Sequence, residues 1–255
     1  APRRKRRKPE AGPCHYFPED PGKDNVTPFE FIPYILGQCK NVTEARKLLS
    51  NLNLVKIDFS AKLHLSPLHW LIADKSGEAI VVESTAEGLN VYDNPVGVLT
   101  NNPEFPKQLL NLSNYQSISP AYPENTLIPE VKLSTYSRGF GSRFLPGGMD
   151  SESRFVKEVF TKAHAPKGKS EIENITDYFH NLHAVEQQKG LDQVAPGQFE
   201  YTIYSDGINL TTGTFYYSTY DNNQINAVKL EEDKLDQTEL LQYPLQSKQT
   251  INFQN

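Results

Sequence analysis

The chain has 255 residues, 37% hydrophobic and 22% charged, which is ordinary globular composition and enough for one large domain with a sizeable core. Two cysteines, Cys14 and Cys39, are too few for a disulfide framework or a cysteine zinc site, so a reducing, cytoplasmic setting is expected. No apolar stretch approaches membrane-spanning length, and the N-terminus lacks the apolar segment of a secretory signal, so neither a membrane nor an export route is expected.

The chain opens on six consecutive cations, Arg3 to Lys8, inside a net charge of −5 that becomes −11 without them. No aromatic residues interleave the run and the rest of the chain repels phosphate, so nucleic-acid binding is not expected. Residues 1–13 read as a disordered basic tail foreign to the domain at 14–255.

From Thr27 the signals become regular. Thr27-Pro-Phe-Glu30 has the form of a capping box for a helix running to about Gly37, and Asn41-Val-Thr-Glu44 repeats it. Val42, Ala45, Leu48, Leu49 and Leu52 then share one face of a second helix. Val55 to Ser60, Trp70 to Ala73 and Ala79 to Glu83 have strand character, the last two joined by an Asp74-Lys-Ser-Gly77 turn. Val96 to Leu99 is a further strand-like run between two Asn-Pro steps, which places Asn101 at its fixed end. A carboxamide there suits the holding of a substrate carbonyl or oxyanion, and equally an Asx-type turn.

Pro106 to Leu112 reads as a short helix, Ser119 to Glu130 as a loop, and the glycine-rich Ser137 to Ser142 as a turn without phosphate-loop context. Asp150 or Ser151 caps a helix whose apolar face is Phe155, Val156, Val159, Phe160 and Ala163. Arg154 lies off most of that face, in a first turn where a cation meets the positive end of the helix dipole, at a cost of up to about 1 kcal/mol unless an anion is near. A partner helix is expected from Glu171 to Gln187, with Ile172, Ile175, Phe179 and Leu182 inward. Phe199 to Tyr204, Gly213 to Tyr220 and Ile225 to Leu230 then form a meander with Ser-Asp-Gly and Asp-Asn-Asn turns, so the class is α+β. His180 and His183 could share one helical face toward a metal, yet no third ligand is evident and no metal or cofactor is expected.

The run Asn94-Pro-Val-Gly-Val-Leu-Thr-Asn-Asn-Pro-Glu-Phe105 resembles the signature of the choloylglycine hydrolase family, the bile salt hydrolases and penicillin V acylases. Phe31 to Cys39, Leu68 to Asp74, Pro146 to Phe155 and His183 to Leu191 match it too, so the similarity runs from about Tyr16 to Asn255. The resemblance implies the four-layer αββα sandwich of the N-terminal-nucleophile hydrolases, missing its first strands. It also implies hydrolysis of the amide between a bile acid and glycine or taurine through a thioester, in a homo-oligomer, with penicillin V acylase-like amidase activity as the alternative. The family's mature chain begins with its nucleophilic cysteine, whose α-amino group is the base, and asparagines hold the oxyanion. Asn101 and Arg154 carry over as catalytic residues, Arg154 as a guanidinium that favours a neighbouring thiolate. The nucleophile has no counterpart here, and Cys14 stands 87 residues before Asn101, far short of the family spacing. The expectation is therefore a truncated or frameshifted member without hydrolase activity as it stands, or a non-catalytic remnant that binds amphipathic ligands.

Overall fold

A computed structural model describes residues 14–255. The basic tail lies outside the described residues. The chain divides into two compact units, the first ending at His164 and the second running from Ala165 to Asn255.

In the first unit, β1 (Asp24–Val26) pairs in parallel with β2 (Leu52–Leu54). Between them lie helices α1 (Phe31–Leu36) and α2 (Val42–Leu49). The Thr27 device forms a turn rather than a helix start: Thr27 Oγ1 donates to Glu30 Oε2 at 2.6 Å, and α1 begins one residue after Glu30. Pro33 is the third helical residue, where its missing N–H removes no intrahelical bond. At the Asn41 box Glu44 N donates to Asn41 Oδ1 at 2.9 Å, and the return bond shifts by one residue, Lys40 N donating to Glu44 Oε2 at 2.8 Å. Val42, Ala45 and Leu49 are buried on one face as expected, whereas Leu52 has left the helix for β2. Residues 56–60 form no strand; the pairing stops at Val55, which bridges Phe17.

Strands β3 (His69–Ala73), β4 (Ala79–Thr85) and β5 (Gly88–Asp93) make an antiparallel sheet in that order. The β3–β4 turn carries Gly77 at φ 89°, a conformation suited to glycine. β4 runs apolar from Ala79 to Val82 because both its faces are covered there, and its end, Glu83 to Thr85, is polar and buried. Ile80 and Val82 join one core with Phe31, Val42, Leu54 and Trp70, while Val81 joins a second with Val98, Phe105 and Phe155. The second core ties β4 to α3 (Phe105–Asn111) and α4 (Ser151–His164) and so carries the site.

On α4, Phe155 and Val156 are buried and Val159 is half-buried, but Ala163 is exposed, because the packed stretch ends before the last turn. The second unit opens with α5 (Glu171–Ala184), capped by Ser170, whose side chain accepts from Glu173 N. Phe179 is buried and Ile175 and Leu182 half-buried, whereas Ile172 is 80% exposed: its end of the stripe has no cover among the described residues. A small hairpin, β6 (Asp192–Ala195) with β7 (Gln198–Glu200), precedes the meander β8 (Tyr204–Asn209), β9 (Thr214–Thr219) and β10 (Asn222–Lys229). The expected strand at residues 199–204 therefore belongs to two elements, and Ser205-Asp-Gly207 is strand, not turn. Gly207 is there because the Tyr178 ring of α5 packs over it: a Cβ at residue 207 would stand 2.5 Å from Tyr178 Cε1.

Candidate active site

The segment expected as a strand at residues 96–99 is a tight, irregular loop, because side chains take the hydrogen bonds that a ladder would use. Gly97 N donates to Asn94 Oδ1 at 2.8 Å, Asn94 Nδ2 donates to Val98 O at 3.0 Å, and Lys162 Nζ donates to Val96 O at 2.6 Å. Gly97 sits at φ 61°. Asn94, not Asn101, forms the Asx-type turn. Val98 is buried in the second core, so this loop is anchored and delivers Asn101 at a fixed place.

Asn101 is exposed, and its side chain is held by α4. Arg154 Nη2 donates to Asn101 Oδ1 at 2.7 Å, while Arg154 Nε donates to Met149 O at 2.9 Å. Guanidinium nitrogens only donate, so the carboxamide must turn its oxygen to Arg154 and its NH2 group away. Charge drawn onto Oδ1 polarises the amide and strengthens Nδ2–H as a donor, which is what an oxyanion requires. The first-turn cation also finds its compensation: Asp150 accepts from Ser153 N at 3.0 Å and Ser153 Oγ at 2.6 Å, and these bonds hold its carboxyl below the usual range. Arg154 thus holds the Asn101 side chain.

Asn101 lines a cleft of about 120 Å³ with Cys14, His69, Glu83, Thr85 and Asn102. Cys14, whose distance from Asn101 in sequence falls short of the family spacing, lines the same cleft. Its Sγ lies 3.7 Å from Leu68 O. Cys39 packs against the first core, and burial pushes its thiol up. Glu83, 6% exposed, accepts from Phe105 N with both oxygens at 3.1 and 3.2 Å, so it caps α3 across the sheet. His69 Nδ1 lies 3.7 Å from Glu83 Oε1. A carboxylate at the end of a strand-like apolar run gave no sign of this capping role.

Among the described residues no group of three His, Cys, Asp or Glu is placed to hold a metal, so His180 and His183 gain no third ligand. No helix among them is long and apolar enough to cross a membrane.

Residues 14–243 match the family of linear amide C–N hydrolases, choloylglycine hydrolase family. A bile salt hydrolase/transferase from Lactiplantibacillus plantarum is 52% identical over 237 residues, covering 93% of this chain and 73% of the relative. One from Clostridium perfringens is 34% identical over 246 residues, covering 94% and 73%. A mutant conjugated bile acid hydrolase from Clostridium perfringens superposes with a TM-score of 0.87 at 33% identity, over 96% of this chain and 75% of that one. A penicillin V acylase from Agrobacterium tumefaciens shares the fold at a TM-score of 0.64 and 19% identity, over 85% of this chain and 60% of that one.

Proposed function

We propose that this chain, which belongs to the choloylglycine hydrolase family of linear amide C–N hydrolases, serves the cleavage of conjugated bile salts into bile acid and glycine or taurine. One observation carries the reading at the level of chemistry: the Arg154–Asn101 pair presents a polarised carboxamide at a cleft. In the family's reaction a cysteine thiolate attacks the amide carbonyl, a C–S bond forms and the carbonyl oxygen becomes an oxyanion. Asn101 Nδ2 donates to that oxygen. The C–N bond then breaks, the amine leaves with a proton as glycine or taurine, and water hydrolyses the thioester to the free bile acid. No step requires a metal or cofactor. The enzyme is proposed to work as a homo-oligomer.

A second reading gives the attacking sulfur to Cys14, because it shares the cleft with Asn101. The test assays the purified chain alone and supplied in trans with the N-terminal segment of the Lactiplantibacillus plantarum relative, here called the complemented enzyme. Taurine or glycine release that depends on the cysteine opening that segment, and that Asn101→Ala lowers by about 10²-fold or more, supports the first reading. Release by the chain alone, abolished by Cys14→Ala, supports the second. No release in any arm defeats both.

A further inference from the structure

We propose that Gln108, on α3, is the positioning residue that sets the backbone of Asn101 for oxyanion binding; the inference deepens the amide-hydrolase reading and rests on it. Gln108 is 1% exposed. Its Nε2 lies 3.1 Å from Ser151 Oγ, 3.3 Å from Asn102 O, 3.4 Å from Thr100 Oγ1 and 3.5 Å from Asn101 O. Two of those four are backbone carbonyls, which only accept, so the amide must present its NH2 group to the loop. Its two hydrogens serve the shorter pair, Ser151 Oγ and Asn102 O, and the other acceptors lie within reach of small shifts.

Ser151 completes the arrangement. Its Oγ accepts from Asn101 N at 2.8 Å and is 3.0 Å from Thr100 Oγ1. Ser151 therefore holds the Asn101 N–H, and Gln108 holds both Ser151 Oγ and the next carbonyl, Asn102 O, while Arg154 orients the carboxamide. α3 itself is located by Glu83 on Phe105 N and by Phe105 in the core. Backbone and side chain of Asn101 are fixed by separate groups, which is what a donor aimed at a developing charge needs, since small misplacement lowers turnover strongly.

The other end of Gln108 argues against a role confined to packing. Its Oε1 is buried and has no hydrogen-bond partner among the described residues. A buried orphan acceptor is destabilising, and a side chain of similar shape without polar atoms would remove it. The position thus tolerates a cost in stability and returns it as placement of the loop.

The distinguishing experiment compares Gln108→Met and Gln108→Glu with the parent. The expected result has three parts. The thermal midpoint of Gln108→Met stays within a few degrees of the parent. Amide hydrogen exchange across residues 99–104 of the chain itself accelerates at least tenfold, with β3–β5 unchanged. In the complemented enzyme kcat falls at least tenfold with KM within twofold, in both variants, and in an Asn101→Ala background Gln108→Met costs nothing further. Unchanged exchange, or an equal loss of kcat with and without Asn101, overturns the proposal. If the parent complemented enzyme releases no amine, the functional reading fails, and the exchange arm alone decides whether Gln108 sets this loop.

Discussion

Arg154 Nη2 reaches Asn101 Oδ1 at 2.7 Å across 53 residues of chain, joining the first turn of α4 to the loop after β5. The bond fixes which end of the carboxamide is left to meet a substrate. Arg154→Lys tests whether that geometry or only the charge matters. A lysine has one donor site at its tip and cannot serve both Met149 O and Asn101 Oδ1 as the guanidinium does. Expected is a fall in kcat of the complemented enzyme of at least about tenfold, toward the 10²–10³ range for loss of an oxyanion donor, with the thermal midpoint little changed. Parent-like kcat in Arg154→Lys would show that the fork is dispensable.

Asn101 and Arg154 stand out in the sequence because each lies in a motif whose meaning a family supplies, and the structure pairs them. Gln108 does not stand out, because a single glutamine in a short helix reads as surface. A signal was nevertheless present: Phe105, Leu109 and Leu112 form an apolar stripe, and residue 108 falls on it at i+3. The loop at residues 96–99 misled for a different reason. Its Val96 and Val98 alternate as a strand would, and Val98 is buried as a strand residue would be, but Asn94 and Lys162 supply the backbone's partners from outside any ladder. Periodicity reports which side chains are buried, not which groups satisfy the backbone. The Asn41 cap was read correctly because every partner in it lies within four residues.

Glu158 gives a pH prediction. Burial pushes its carboxyl up from 4.5 to about 7 against the pull of Lys162, and its Oε2 is buried without a hydrogen-bond partner among the described residues. A carboxyl whose folded pKa exceeds its unfolded value binds more protons when folded, so its contribution to stability is present at low pH and is lost as pH rises from about 4.5 through about 7. Glu158→Gln removes that loss. At pH 8 the variant should be more stable by about 1–2 kcal/mol, allowing for the group's remaining solvent contact, or several degrees in midpoint. At pH 4.5 the two proteins should melt together. A variant no more stable than the parent at pH 8 would mean that the attraction of Lys162 outweighs the burial.

The turn beneath Lys162 can be tested at Gly97. Its φ of 61° is costly for any residue with a Cβ, and a Cβ built there overlaps Lys162 Nζ. Gly97→Ala should cost about 1–2 kcal/mol from the backbone alone, plus the displaced bond to Val96 O. Lys162→Met removes that bond without backbone strain and should cost less. Because the overlap vanishes with Lys162 and the Val96 bond can be lost only once, the double variant should lose less than the sum of the two single losses, by thermal denaturation at neutral pH. Strict additivity would show that Lys162 moves aside freely and does not brace the turn.

Gly207 lies in the second unit, and its substitution should change sign with its neighbour. The Tyr178 ring lies close enough that a Cβ at residue 207 would meet Cε1 at 2.5 Å and Cζ at 2.9 Å, and Tyr178 OH donates to Asp206 O at 2.8 Å, so the ring is tied in place. Gly207→Ala must therefore push the ring off the strand or bend β8 away from it, at a cost of about 1–3 kcal/mol as for other overpacked sites. Glycine carries no positive φ here, so the strand itself would accept a side chain. In a Tyr178→Leu background, which loses the tether and most of the ring, Gly207→Ala should be neutral or stabilising by up to about 1 kcal/mol, the ordinary preference of a strand interior for a residue other than glycine. Denaturant unfolding of the four proteins measures both arms. A similar loss from Gly207→Ala in both backgrounds would place the constraint in the backbone of β8 and not in the aromatic ring that covers it.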